Sequence, residues 1–412
     1  MSLHASAEPY AFHFHHRYHN SFSRATPGAV VIGGDYQGLA IVRSLGRHGV
    51  PAIIVDDEHS IGRFSRYTCC SVQVPNLRDE QATLDALFYI GARLGLEGWV
   101  LFPTRDETVA TLSRHRDDLA AFYRVPTPAW STIEAAWDKR ETYRLAGKLG
   151  IPFPRAYTIR SGAEVDDLEI DFPVALKPAI KEHFIYATKA KAWRASNQDE
   201  LRRRFREASA LIGADEVIVQ ELIPGDGSKQ FAYCAFFKDG HDVASMVAQR
   251  RRQHPPEFGR ASTYVETVSV PEVEQLATQF LAAVDYYGLV EVEFKHDSRN
   301  GEFKLLDVNA RTWGYHSIGP AAGLDFPSLL YDDQMGETVA TGQHAALGVR
   351  WVRIVTDLPT AIIEITRKRL GVGPYLRSLR ECNSEAVWSR KDPLPGLVEA
   401  ALIPYLAVKR GF

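Results

Sequence analysis

Residues 288–314, GLVEVEFKHDSRNGEFKLLDVNARTWG, restrict the fold of this chain more than any other stretch. They read as two strands joined by a tight turn. Alternate side chains of a strand point to the same face, so Glu291, Glu293 and Lys295 share one face, and Asp307 and Asn309 share one face of the next strand. Asn300-Gly301, inside DSRNG, suits the φ > 0 positions of a hairpin turn. An odd count of intervening residues makes Glu293 and Asp307 neighbours, and an even count separates them. Two carboxylates and an amide oxygen are hard donors of the kind Mg²⁺ accepts while keeping water or phosphate oxygens. The same pattern also describes an amphipathic strand with solvated acids, so other segments have to decide.

Three upstream segments bear on that choice. In FPVALKP (172–178) an apolar run carries Lys177 to its end, where Pro178 is expected to stop ladder pairing and let the ammonium emerge at the sheet edge. VIVQELIPG (217–225) is a buried strand closed by Pro224-Gly225, as a hinge between two lobes requires. WDKRETYRLAGKLGIPFP (137–154) opens a helix near Lys139. Taken in this order with LLDVNAR, the segments resemble the ATP-grasp superfamily, carboxylate-amine ligase branch, and in particular its D-aspartate ligase-like and carbamoyl phosphate synthase-like members. The match runs from about residue 29 to about residue 340.

The resemblance implies an α/β and α+β architecture, a Rossmann-like pre-ATP-grasp domain followed by a two-lobed ATP-grasp domain. The expected divisions are a mobile His-rich tail over 1–27, the Rossmann-like domain over 28–127, the ATP-grasp domain over 128–340 with lobes 128–215 and 216–340, and a helical extension over 341–412. It implies ATP with Mg²⁺, or Mn²⁺ in its place, held by Glu293, Asp307 and Asn309. Lys139 and Lys177 would contact nucleotide phosphates. Adenine would lie along the strand at Gln220, Glu221, Leu222 and Ile223, with Glu221 accepting from the amino group. For the ribose, Asp226, Lys229 and Gln230 remain alternatives. Arg311 would stabilise charge on the transferring phosphoryl group. The implied reaction joins a carboxylate to an amine through an acylphosphate, releasing ADP and phosphate, and the implied assembly is a homodimer.

One departure stands out. Where many ATP-grasp proteins carry a glycine-rich loop after the lysine strand, this chain reads KPAIKEHFIYATKAKAWR with no glycine. Lys181, Lys189 and Lys191 could supply charge instead of directional backbone donors. The basic run Arg250-Arg251-Arg252 precedes His254-Pro255-Pro256 and reads as a loop. Arg250 there suits an acidic co-substrate or the transferred phosphoryl group. RRRFRE at 202–207 reads as a solvated helix face.

A competing reading comes from AVVIGGDYQGLAIVRSLGRHGVPAIIVDD, which runs strand, glycine turn, helix and strand, with Asp56 and Asp57 about twenty residues on, as in a dinucleotide-binding unit. Its glycines at 33, 34 and 38 break the GxGxxG spacing, which weighs against a dehydrogenase. VLFPTRDE brings Thr104, Arg105, Asp106 and Glu107 to a strand end, either as substrate contacts or as the start of a helix whose dipole favours acids. The other readings are activation of bicarbonate or a small carboxylate without amide formation, and nucleotide binding without turnover.

With 412 residues, 45% of them hydrophobic and 24% charged, the chain can build two or three cores without staples. A net charge of −3 argues against nucleic acid as a partner. Four cysteines in no metal or disulfide spacing fit the cytoplasm. No segment has the length and apolarity to span a bilayer. LPGLVEAALIPYLAVKRGF at the C-terminus reads as a docking helix, with peripheral membrane contact through Lys409-Arg410 as an alternative.

Overall fold

The computed structural model describes residues 8–15, 26–259 and 261–410. Two compact units emerge: Met1–Ala129 with Pro327–Val339 and Val387–Ala401, and Trp130–Phe326 with Ala340–Ala386 and Leu402–Phe412.

In the first unit, β1 (Ala11–Phe14), β2 (Ala29–Ile32), β3 (Ala52–Asp56), β4 (Thr68–Gln73) and β5 (Val100–Pro103) form one sheet in the order β1-β4-β3-β2-β5. The last four are parallel, and β1 joins the β4 edge antiparallel. AVVI and AIIVD are buried along their whole length, as strands of a parallel sheet covered on both faces must be. Helices Tyr36–Arg47, Glu80–Leu94 and Asp106–Arg114 alternate with the strands. The tail expectation is corrected at residues 11–14. In AFHF, Phe12 and Phe14 alternate inward and pack on the core around Val72 and Leu87, an alternation that the neighbouring histidines hide in the sequence. Residues 1–7 and 16–25, including His4, His16 and His19, lie outside the described residues.

The second unit holds two sheets. β6 (Ala156–Thr158), β7 (Val174–Pro178), β8 (Trp193–Ala195) and β9 (Val217–Glu221) make an antiparallel sheet in the order β6-β9-β7-β8. Its core joins Leu176 and Val219 to Phe184 and Phe205 of the flanking helices. Because β9 lies between β6 and β7, the first lobe extends through 221, not 215 as expected. The apolar VIV run is buried only with a strand on each side.

The larger sheet contains β10 (Gln230–Lys238), β11 (His241–His254), β12 (Ala261–Val268), β13 (Gly288–His296), β14 (Phe303–Asn309), β15 (Gln343–His344), β16 (Arg350–Val352) and β17 (Ser384–Glu385). Their order is β14-β13-β10-β11-β12-β16-β17, with β15 beside β11. The expected loop at Arg250–Arg252 is corrected, because these residues belong to β11. The register slips between Arg250 and Arg252, and a bulge of this kind re-aims side chains while pairing continues. Arg251 then meets Glu266 at 2.8 Å and Arg252 meets Asp357 at 2.8 Å. The helical extension expected over 341–412 is corrected as well. β15, β16 and β17 complete the large sheet, and Val387–Ala401 returns to the first unit, where Asp392 accepts from Arg43 Nε at 2.9 Å and Ser65 Oγ at 2.7 Å.

Candidate functional site

The β13–β14 register pairs Glu293 with Asp307 and Glu291 with Asn309, so four polar side chains share one face. A slip after Glu293 leaves Leu306 as the extra residue on β14. The Leu306 carbonyl accepts from Tyr143 Oη at 3.3 Å. All four polar side chains are buried, which rules out a solvated hairpin face.

Five cations gather on the same pocket as Glu293 and Asp307: Lys139, Lys177, Lys181, Lys191 and Arg250. Asp138 caps its helix by accepting from Arg140 N, and Lys139 N donates to the Ala179 carbonyl at 3.1 Å. This ties the helix start to the end of β7 and sets Lys139 beside Lys177. Lys139 Nζ donates to Asp307 Oδ1 at 2.7 Å. Arg250 Nη2 lies 3.4 Å from Glu293 Oε1, and its Nη1 donates to Gln230 Oε1 at 2.6 Å. Lys181 Nζ donates to Asn309 Oδ1 at 3.1 Å. The side chains of Lys177 and Lys191 make no hydrogen bond or ion pair among the described residues. Burial, reinforced for Lys177 by Lys139, pushes the Lys177 ammonium down to about 8, and burial also lowers Lys191.

The acids answer to the same field. Burial works to raise Glu293 and Asp307, yet Lys191 and Arg250 around the first and Lys139 around the second outweigh it, so both are held below the ordinary carboxylate range. Glu291 goes the other way, to about 7, because burial and the neighbouring Glu293 charge dominate. It accepts from Tyr315 Oη at 2.6 Å and from Asn309 Nδ2 at 3.0 Å. Since Asn309 also donates to Glu293 at 3.3 Å, its amide nitrogen faces the acids and its Oδ1 faces Lys181 and Arg311. Among the described residues no three His, Cys, Asp or Glu side chains converge as a metal cluster. The available set is two carboxylates and this amide oxygen, which suits an ion that keeps water or phosphate oxygens.

Other expected residues fall elsewhere. Glu221, expected to accept from adenine, is bound by Arg155 N at 3.0 Å, Lys304 Nζ at 2.7 Å and Arg299 Nη2 at 2.6 Å. Its carboxylate therefore braces the lobe. Gln220 is buried and accepts from Tyr143 Oη at 3.2 Å. Lys295 donates to the Ile223 and Gly225 carbonyls at 2.9 and 2.7 Å, fixing the chain that follows Leu222. Of the three ribose candidates, Gln230 lines the pocket, while Lys229 is exposed in a short turn and Asp226 caps that turn. Arg311 is half-buried, with Nη2 3.4 Å from Asn309 Oδ1. Pro178 does not end the pairing of β7, because Ala179 N continues it to the Glu216 carbonyl at 2.7 Å. The glycine-free segment forms a helix, Lys181–Thr188, ended by Lys189 in the left-handed conformation at φ 58°. Lys189 thus serves as the cap, while Lys181 and Lys191 reach the pocket. Tyr315 and Phe258 also stand at the site, although nothing in the sequence singles them out. Phe258 lines the pocket with φ 47°, a conformation costly for a bulky residue, and no periodicity marks either position.

In the first unit the candidate dinucleotide acids are committed. Asp56 accepts from Gly34 N at 2.6 Å and pairs with Arg105 at 2.8 Å, and Asp57 pairs with Arg105 at 2.7 Å. They hold the glycine turn together, so neither of these two carboxylates is free for a ribose. Asp106 and Glu107 start their helix, the second of the two readings.

No family model matches the chain. D-aspartate ligase from Enterococcus faecium is 25% identical over 249 residues, which cover 58% of this chain and 59% of that ligase. The chain thus spans little more than half of this relative's length. L-amino acid ligase from Bacillus licheniformis superposes with a TM-score of 0.59 at 15% identity, covering 75% of this chain and 74% of that one. Biotin carboxylase from Campylobacter jejuni gives 0.64 at 15% identity over 79% and 74%. The two-sheet second unit is an ATP-grasp fold. The chain thus resembles a D-aspartate ligase in sequence and shares the fold of an L-amino acid ligase and a biotin carboxylase.

Proposed function

We propose that the chain is an ATP- and Mg²⁺-dependent ligase that joins a carboxylate to an amine. One observation carries the reading: Glu293 and Asp307 stand paired on one sheet face, opposed by five buried or half-buried cations. An excess of buried cations is stable only with an anionic partner, and a polyphosphate accompanied by a divalent ion supplies one. Glu293, Asp307 and Asn309 Oδ1 would hold Mg²⁺, with Mn²⁺ able to substitute, and the ion would neutralise phosphate charge.

Lys139, Lys177, Lys181 and Lys191 hold the phosphates. A substrate carboxylate oxygen forms a bond to the γ-phosphorus as the bond to the ADP oxygen breaks. The amine nitrogen then bonds to the acyl carbon, phosphate leaves with the carbonyl-activating oxygen, and the nitrogen loses a proton. Arg250 and Arg311 offset charge on the transferring group, and Gln230 is the ribose candidate the pocket supports. The chain acts on small-molecule substrates as a cytoplasmic homodimer. Its four cysteines are free, in keeping with a reducing compartment, and among the described residues no helix is long and apolar enough to cross a membrane.

The test is ADP and phosphate release from ATP and Mg²⁺ with amino acids offered singly and in pairs. Pair-dependent ADP formation is expected. Release stimulated by bicarbonate alone, or nucleotide binding with no release under any pairing, would refute amide formation.

A further inference from the structure

Helices Ile354–Thr366 and Val372–Arg380 pack through their inner faces on Arg252 of β11. Asp357 receives that guanidinium, and Ser378 Oγ accepts from it at 3.0 Å. Tyr375 covers the same side chain, with the Arg252 guanidinium carbon 5.2 Å from its ring centre. The outer faces are another matter. Ile354, Leu358 and Ile362 recur at four-residue spacing on the first helix, and Val372 and Leu376 do so on the second. All five are exposed, Ile362 to 53% and Val372 to 57%.

An apolar stripe of this kind in water needs an explanation, and the charges beside it narrow the choice. The connecting residues are Arg367, Lys368 and Arg369, and the second helix presents Arg377 and Arg380. Arg367 and Arg369 stand 4.0 and 3.9 Å from Glu364. The side chains of Lys368, Arg377 and Arg380 form no ion pair or hydrogen bond among the described residues. Residues 354–380 therefore carry five cations and two acids, one of which, Asp357, is consumed by Arg252, in a chain whose net charge is −3. Apolar side chains flanked by unpaired cations are the composition of a helix lying in the interface of an anionic bilayer.

We propose that these two helices dock the protein on an anionic membrane surface. The surface is distinct from the carboxy-terminal helix Leu394–Arg410, whose side chains beyond residue 404 lie outside the description.

The test is co-sedimentation of the full chain with phosphatidylcholine vesicles containing phosphatidylglycerol, beside vesicles of phosphatidylcholine alone. Binding is expected on the first at low salt, weaker at high salt and on the second. Each basic side chain removed at the surface should lower partitioning about fivefold, so Arg377→Gln with Arg380→Gln should lower it about 25-fold. Ile362→Asp should abolish it with unchanged unfolding temperature, and Val372→Asp provides a second apolar variant should the first destabilise the fold. No pelleting with anionic vesicles overturns the proposal. So does a dimer in sedimentation velocity that Ile362→Asp dissociates while vesicle binding stays absent, since the stripe would then cover a second copy of the chain.

Discussion

Lys191→Met tests the cation excess directly, because two opposite effects should come from one substitution. Without nucleotide, the ammonium has no hydrogen-bonding partner among the described residues and burial disfavours its charge. Glu293 keeps Arg250 and Asn309 when it is removed. Unfolding free energy should therefore hold steady or rise. With Mg²⁺ and a non-hydrolysable ATP analogue, the variant loses a charge-assisted hydrogen bond of about 1.5–3 kcal/mol, which raises Kd about 10- to 150-fold. At ligand 100 times the parent Kd, binding stabilises the parent by about 2.7 kcal/mol, and the variant by only about 0.3–1.3 kcal/mol. Urea unfolding with and without the analogue reads both quantities. Asp307→Asn supplies the contrast: it strips buried Lys139 of its partner and should cost about 3–5 kcal/mol in the nucleotide-free protein. If Lys191→Met destabilises the nucleotide-free fold as Asp307→Asn does, or keeps the full ligand-induced gain, Lys191 braces the structure and the phosphate assignment is wrong.

Other sites give separate tests. Arg311→Ala should lower turnover about 100-fold or more if its guanidinium stabilises the transferring charge, and near-normal steady-state turnover would remove that role. Burial holds His316 down to about 4, and its Nδ1 donates to the Trp313 carbonyl at 2.9 Å. The unfolded chain takes up a proton near pH 6.5 that the folded one refuses until about 4, so stability falls as pH falls through that window, by about 3 kcal/mol in full. His316→Gln should flatten that fall in urea titrations at pH 7, 5.5 and 4, and parallel curves for variant and parent would refute it. Asp392→Ala should cost about 3–5 kcal/mol by leaving Arg43 buried without its acid, read as a lower urea midpoint for the first unit; an unchanged midpoint would show the pair to be dispensable.

What the sequence made legible was local. The hairpin at 288–309, the lysine strand at 174–178 and the continuous apolar runs of β2 and β3 each carry their own period, and the structure reproduces them. What it hid was nonlocal. Nothing in AFHF, which ends at Phe14, announces an edge strand ahead of the first core strand at Ala29, and nothing in RKDPLPG announces that Asp392 answers Arg43 across 349 residues. At the site, Glu293, Asp307 and Lys139 were readable because alternation and the helix start fix their directions. The partners that hold Glu221, Arg299 and Lys304, come from the hairpin turn and β14, some eighty residues on, beyond the reach of a local pattern. Arg250 looked like a loop residue because three successive arginines make a poor strand, and only the slip against β12 lets them lie on one.

The absent glycine loop and the excess of lysines are two sides of one solution. A glycine loop holds phosphates with neutral, directional N–H groups that cost little when the site is empty. A helix in its place, Lys181–Thr188, commits the N–H groups beyond its first turn to helical bonds and brings the Lys181 charge to the pocket. Buried charge is expensive without a counter-charge, and here the expense is visible in Lys177 lowered to about 8 and in Lys139 and Arg250 drawn onto the metal-type acids. In the nucleotide-free protein those acids pair with Lys139 and Arg250. Nucleotide with its ion would release both sets, so binding should be steeply dependent on salt for a small ligand. A glycine-loop relative of equal affinity should respond to salt far less.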